Sequence, residues 1–237
     1  VGADGNQADY LKVSEGVARI NVKRKNRGGT EINGMGPDIT AEQVAALREK
    51  INQLKAGDIL VLAGSIPQSM PDTIYMDIMA DLQDKGVEIA VDATRDLLMN
   101  VLPYRPFLIK PNNHELSALV GRTLKTPEEL AETARELMKE YSIAKIVVSM
   151  GGDGALYVTP DETIYAEGLK VPVGSTDGAG VSVVAALAAA EESGMSLEDT
   201  VCLSTACGAA NVMCSGTQAA EYEVIESLIP RVVFHRI

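Results

Sequence analysis

The sequence predicts an α/β fold in which a mostly parallel sheet is flanked by helices and preceded by a small antiparallel β lid. Three observations carry that expectation. Short runs rich in Val, Ile and Leu alternate with stretches of helical periodicity from about residue 38 onward. Each run ends in loop-forming residues. The first part of the chain follows another pattern altogether. Strands separated by helices pair in parallel and are covered on both faces, so they read as near-continuous apolar runs.

Residues 10–37, "YLKVSEGVARINVKRKNRGGTEINGMGP", alternate polar and apolar side chains between glycine-rich turns, the pattern of an antiparallel flap. Residues 9–37 are therefore assigned to the lid and 38–237 to the core. In the core, Thr40 stands three residues before Gln43, and Thr126 three before Glu129, each followed by helical sequence. Both pairs are capping boxes, in which each side chain satisfies a backbone N–H of the other residue. They open helices over 41–55 and 127–141, with further helices expected over 72–85 and 113–120. Buried strands are expected within 57–67 "GDILVLAGSIP", 86–93 "GVEIAVDA", 106–112 "PFLIKPN" and 144–152 "AKIVVSMGG". Ligands of parallel sheets sit at the carboxyl ends of the strands. That rule singles out the loops "GSIP", "DATRD", "KPNNHE" and "SMGGDG".

Composition narrows the function classes. A net charge of −12 argues against nucleic acid or an anionic membrane as partner, since both call for basic patches. A phosphorylated small molecule is still compatible, because a pocket can be basic within an acidic protein. No apolar run approaches the length of a membrane span, and "VGADGNQADY" lacks the features of a signal peptide. Cys202, Cys207 and Cys214 have no CxxC spacing and no nearby histidine, as expected of free thiols in a reducing cytosol. His114 and His235 read as surface residues, and the acidic run "PEELAETARELMKE" as a solvated helix face.

Three motifs carry chemistry. In "GSTDGAGVSVVAALAAA", residues 174–190, a glycine turn opens into a long apolar helix. The first backbone N–H groups of such a helix have no intrahelical acceptor, and the helix dipole favours an anion there. A packing turn explains the glycines equally well, and the lysine-bearing end of a Walker A loop is absent. In "KPNNHEL", Lys110, Asn112 and Glu115 close a strand with a cation, an amide and a carboxylate. Such oxygen donors suit Mg²⁺ held largely through water and phosphate; an Asn N-cap with a first-turn Glu accounts for the spacing as simply. "SMGGDGA" is a tight turn after a strand, adequate as a hairpin and equally placed to touch a ligand.

Taken in order, "ARINVK", "TEINGMGPDIT", "LAGSIP", "VDATRDLL", "LIKPNNHEL", "VSMGGDGA", "STDGAGVS" and "GTQ" resemble the motifs of the PfkB branch of the ribokinase family. Within it they are closest to the hexose-phosphate kinases, the 1-phosphofructokinases and tagatose-6-phosphate kinases. The resemblance runs from about Ala8 to the C-terminus and implies a ribokinase-like fold, ATP and Mg²⁺ as cofactors, and a sugar phosphate as substrate. It places Arg19 on the sugar's phosphate and Ser65 on the substrate. Lys110, Asn112 and Glu115 fall in the nucleotide-phosphate and Mg²⁺ region, with Asn112 and Glu115 as metal residues. Ser149, Gly151 and Gly154 match the nucleotide loop, and Gly178, Ala179 and Gly180 the anion hole. Asn211 lies on the helix bordering the adenine pocket. A cytoplasmic homodimer paired through the lid is the implied assembly.

Two departures stand out. The family's motif reads GAGD, and its aspartate takes the proton from the substrate hydroxyl; here that position is Val181. Asp177 stands where the family has a small apolar residue, before the turn, so reaching the same hydroxyl requires a different backbone path. The family also opens with a further segment that supplies the first strands, an aspartate for the sugar and a GGKG-type loop. None of these motifs occurs in this sequence, so an exposed first sheet edge is expected. The expected function is ATP-dependent phosphoryl transfer to a ketohexose phosphate. Its alternatives are a catalytically silent nucleotide- or sugar-phosphate-binding relative, or a fragment.

Overall fold

The structure, a computed structural model, describes residues 9–13, 16, 18, 20–24, 30–216 and 218–237. Strands β1 (Asn21–Arg24) and β2 (Thr30–Asn33) form a two-stranded antiparallel ribbon, separate from the main sheet, in the segment expected to be a lid. The pairing continues past the strand end, where Gly34 N–H donates to the Ile20 carbonyl at 2.9 Å.

Among the described residues the main sheet has seven strands, placed in chain order: β3 (Ile59–Ala63), β4 (Glu88–Asp92), β5 (Leu108–Ile109), β6 (Lys145–Ser149), β7 (Gly154–Val158), β8 (Thr163–Glu167) and β9 (Phe234–Arg236). β3 to β6 are parallel, as the alternation of elements predicts. Beyond β6 the pairing turns antiparallel, through a hairpin into β7 and on to β8 and β9. The "SMGGDGA" stretch is thus a hairpin turn, with a single 3₁₀ turn at Gly151–Asp153.

Side-chain alternation sends successive residues of a strand to opposite faces. Ile89, Val91, Ile109, Ile146, Val148, Leu156 and Val158 point to one core, and Ala90, Leu108, Val147 and Tyr157 to the other. Helices α1 (Ala41–Ile51), α2 (Ile74–Leu82), α3 (Arg95–Val101), α4 (Asn113–Leu119) and α5 (Pro127–Tyr141) belong to the first side. In α5 the buried residues Leu130, Ala131, Ala134, Leu137 and Met138 recur at helical spacing and form one apolar stripe. The second face is covered by α6 (Ala179–Glu192) and α7 (Leu197–Met213), which contribute Leu187 and Val201 to its core. A short helix, α8 (Tyr222–Leu228), packs on α7.

Both predicted capping boxes form: Gln43 N–H donates to Thr40 Oγ1 and Glu129 N–H to Thr126 Oγ1, with the reciprocal bonds present. Among the described strands β3 lies at the sheet edge, and Val61 on it is 39 % exposed. The parallel strands bring their carboxyl ends to one side. There Gly64 N–H donates to the Asp92 carbonyl and Ser149 N–H to the Pro111 carbonyl, both at 3.0 Å. The loops after β3, β4, β5 and β6 are therefore zipped together in sheet order.

Candidate functional site

Lys110 follows directly on β5, and its backbone N–H is still held by the Val91 carbonyl at 3.2 Å. Burial between β4 and β6 leaves the residue 6 % exposed. A buried ammonium needs a counter-charge, and Lys110 Nζ lies 3.2 Å from Asp92 Oδ1 at the end of β4.

Two residues further on, Asn112 caps α4. Its Oδ1 accepts from Glu115 N–H at 2.8 Å, and Glu115 Oε2 accepts from Asn112 N–H at 2.8 Å. Both side chains are thus engaged in a capping box, the structural role that their spacing also allowed. The box takes up one of the two carboxylate oxygens of Glu115. Asn112 also bridges to Ser149 on the neighbouring strand, which ties the α4 corner to the β6–β7 turn.

Across from this corner is the mouth of α6. Gly178 is its N-cap, with φ at 83° and no side-chain cap bond. That left-handed conformation suits glycine, and a glycine N-cap has no side chain with which to satisfy the first N–H groups of the helix. A Cβ at Gly178 would lie 3.2 Å from Asn211 Oδ1. Asn211 is 3 % exposed, its Nδ2 donates to the Gln218 carbonyl at 3.1 Å, and its Oδ1 has no protein partner among the described residues. A Cβ at Gly180 would lie 3.4 Å from Lys110 Nζ and 4.0 Å from Asp92 Oδ2. A side chain at position 180 would therefore stand in contact with the lysine, between it and the helix mouth.

These two regions line a single cavity of about 670 Å³. Lys110, Asn112, Ser149, Gly151 and Gly154 border it on one side, and Ala179 and Gly180 on another. Much of the remaining wall is apolar, with Leu169, Val171 and Val173 from the segment after β8 and Gly208, Ala209 and Val212 of α7; Lys170, Thr176 and Thr205 also line it. Under it lies Tyr157, 2 % exposed, whose hydroxyl meets Ser204 Oγ at 2.8 Å and Thr205 Oγ1 at 3.0 Å. Burial raises the Tyr157 pKa, and the two hydroxyl contacts offset only part of that rise.

The other expected site residues fall outside this wall. Val181 is 62 % exposed and does not line the cavity. Asp177 is half-buried before the turn, its N–H donating to Ser175 Oγ at 3.1 Å. Ser65 is exposed in the loop after β3. That loop is anchored by Tyr75, whose hydroxyl donates to the Ala63 carbonyl at 2.9 Å. Burial, and then the nearby negative charge of Asp92, raises the Tyr75 pKa. Asn211 stands behind Gly178 while its neighbours on α7 form the wall. Arg19 and Thr217 of the "GTQ" motif lie outside the described residues.

Sequence reasoning did not single out Asp92 or the apolar wall at 169–173. Asp92 could have been found as the last residue of an apolar strand whose loop had already been marked. The wall had no such signal, because its shape depends on how an irregular segment lies against α7.

The fold and its cavity define a class: α/β proteins with a cleft at the carboxyl ends of parallel strands, facing a helix N-terminus. Within that class, residues 6–223 match the model of the pfkB family carbohydrate kinases. The chain is 35% identical over 223 residues to a 1-phosphofructokinase of Bacillus subtilis, covering 94% of this chain and 73% of that protein. It is 30% identical over 209 residues to a D-tagatose-1-phosphate kinase of Bacillus licheniformis, covering 88% and 68%. The crystal structure of phosphofructokinase-2 from Escherichia coli in complex with potassium superposes with a TM-score of 0.83 at 28% identity, covering 92% of this chain and 72% of that one. This chain belongs to the pfkB family of carbohydrate kinases.

Proposed function

We propose that this chain is an ATP-dependent kinase of a ketohexose phosphate, with fructose 1-phosphate the first substrate to test. The observation that carries the reading is that the uncapped mouth of α6 and the Lys110–Asn112 corner line one cavity. A nucleotide needs an apolar slot for its base and a polar end for its phosphates. The wall formed by Leu169, Val171 and Val212 is suited to the first and the Lys110 side to the second. The names of the relatives, a 1-phosphofructokinase and a D-tagatose-1-phosphate kinase, favour a hexose 1-phosphate as acceptor.

In this reading Ser149, Gly151 and Gly154 lie along the nucleotide and the Lys110 ammonium faces its phosphates. The N–H groups at Gly178, Ala179 and Gly180 donate to the transferring phosphoryl group, where charge spreads over its equatorial oxygens. Glu115, through its second carboxylate oxygen, and Asn112 would hold a divalent cation such as Mg²⁺ largely by way of water. Bound there, the cation neutralises phosphate charge. No cluster of three or more acidic, His or Cys groups exists among the described residues, so most of its shell would come from water and nucleotide.

Arg19 on the lid and Ser65 would hold the sugar phosphate, and residues 9–37 would close over it and exclude water. Exposed Tyr10, Ile20 and Met35 in that segment favour a second copy as its cover, giving a homodimer. Free Cys202, Cys207 and Cys214 fit a cytoplasmic setting. No described helix is long and apolar enough to cross a membrane.

One observation favours a second reading. The position of the family's base is Val181, a side chain with no proton acceptor, which fits a silent binding relative. ADP release on adding fructose 1-phosphate, tagatose 1-phosphate or tagatose 6-phosphate, alongside ATP protection against thermal unfolding, separates the two. Protection with turnover supports the kinase; protection without turnover supports the silent binder; neither sinks both.

A further inference from the structure

The strands rank the loops across the cleft, and that order places a carboxylate on the side from which an acceptor must come. β5 carries Lys110 in the middle. The nucleotide-loop residues Ser149, Gly151 and Gly154 lie to one side, at β6 and β7. To the other side, at the end of β4, stands Asp92, and beyond it Ser65 after β3. In-line transfer puts the leaving group and the attacking oxygen on opposite sides of phosphorus. A nucleotide lying toward β6 and β7, with its last phosphate over the α6 mouth, leaves the attacking hydroxyl on the β4 side.

Asp92 meets that requirement in its geometry. Its Oδ1 is held by Lys110 Nζ at 3.2 Å, while Oδ2 turns toward the helix mouth, 4.0 Å from where a Cβ on Gly180 would stand. Neither Asp92 nor Asp177 is itself part of the cavity wall, but Asp92 is paired with Lys110, which is, and stands by Gly180, whereas Asp177 lies before the turn and Val181 can accept nothing. A carboxylate this close to a phosphoryl group is repulsive unless a cation or a donated proton relieves it. Lys110 relieves part of it, and an acceptor hydroxyl pointing at Oδ2 relieves the rest.

We propose that Asp92 is the proton acceptor of this kinase, in place of the aspartate that Val181 has displaced; the proposal rests on the kinase reading above. The O–H bond of the sugar breaks and its proton passes to Asp92 Oδ2. The sugar oxygen bonds to the γ-phosphorus of ATP. The bond from γ-phosphorus to the bridging oxygen breaks, and its electron pair leaves on ADP. Asp92 then returns the proton to solvent.

The test compares the wild type with Asp92→Asn, Val181→Asp and the double variant, following ADP release with fructose 1-phosphate and ATP-induced thermal protection. The expected result is slow turnover by the wild type and a loss of about 10²-fold or more in kcat for Asp92→Asn, the usual worth of a general base. ATP protection should persist, and Val181→Asp should restore the rate in the double variant. Rescue identifies a lost base, because an aspartate at 181 cannot replace a carboxylate that merely positions Lys110 or holds a cation. Turnover by Asp92→Asn within threefold of wild type overturns the proposal, as does a loss that Val181→Asp leaves unrepaired. A wild type that ATP protects but that turns over no substrate overturns it while leaving nucleotide binding intact. A wild type that ATP does not protect removes the kinase reading itself. Should Asp92→Asn not fold, Asp92→Glu keeps a charge beside Lys110 and shifts the carboxylate by one methylene. A tenfold loss in kcat at unchanged ATP protection is then expected, and an unchanged kcat overturns the proposal.

Discussion

Gly180 and Lys110 meet across the cleft: a Cβ on residue 180 would come within 3.4 Å of the lysine Nζ. The contact joins the α6 mouth to the end of β5, and it makes position 180 sensitive for binding rather than for folding. Alanine is about 1 kcal/mol better than glycine inside a helix. Gly180→Ala is therefore expected to hold or raise the melting temperature while weakening ATP binding roughly tenfold, equivalent to about 1.4 kcal/mol. Calorimetry with and without ATP reads both effects. A melting temperature that falls with unchanged ATP affinity goes against the assignment.

Gly178 answers to a different constraint. Its φ of 83° and the Asn211 amide 3.2 Å from its missing Cβ both oppose a side chain. Left-handed backbone costs an ordinary residue about 1–2 kcal/mol, so Gly178→Ala should lower the stability by at least about 1 kcal/mol. For a chain of this size that is a drop of roughly 2–4 °C. An unchanged denaturation midpoint would show that the α6 turn rearranges freely.

Lys110→Met removes the cation from the cleft and strands Asp92 beside the helix mouth. ATP affinity is expected to fall by more than about tenfold, the scale of a lost charged hydrogen bond. Titration calorimetry of ATP binding measures it. Affinity within twofold of wild type would take the phosphates away from this lysine.

Away from the cleft, Arg48 on α1 grips Asp81 on α2 with two bonds, Nε to Oδ2 at 2.6 Å and Nη2 to Oδ1 at 2.7 Å. Those bonds hold the Asp81 carboxyl below its ordinary range. A carboxyl lowered in the folded state stabilises the fold above its unfolded pKa, about 4, and loses that contribution as pH falls through the folded value. Because both side chains are partly exposed, Arg48→Met should cost only about 0.5–1 kcal/mol at pH 7. The gap from wild type should close as the pH drops below about 4. Urea midpoints across that range test it, and a gap that stays constant with pH argues against the pair.

Much of the frame was legible in the residues. Thr40 with Gln43 and Thr126 with Glu129 announced two helix starts, and apolar runs ending in Gly, Pro, Asn or Asp announced the parallel strands. Local chemistry decides those features, so a short window suffices. The antiparallel half of the sheet was less legible. Phe234–Arg236 is a three-residue strand, and only its pairing with β8 defines it. Within the cleft, Lys110, Asn112, Ser149 and Gly180 could be picked out from the sequence because each ends a strand or opens a helix, and they line one cavity. The capping role of Asn112 and Glu115 and the metal role share one spacing, so sequence alone could not rank them. The apolar wall at 169–173 and the pairing of Asp92 with Lys110 depend on contacts between distant segments, which no local pattern records.

The most direct test is a crystal structure with a non-hydrolysable ATP analogue. The prediction is a base against Leu169, Val171 and Val212, with the terminal phosphate within hydrogen-bond reach of the N–H groups at Gly178, Ala179 and Gly180 and near Lys110 Nζ. An analogue bound elsewhere, or phosphates turned away from the α6 mouth, would contradict it.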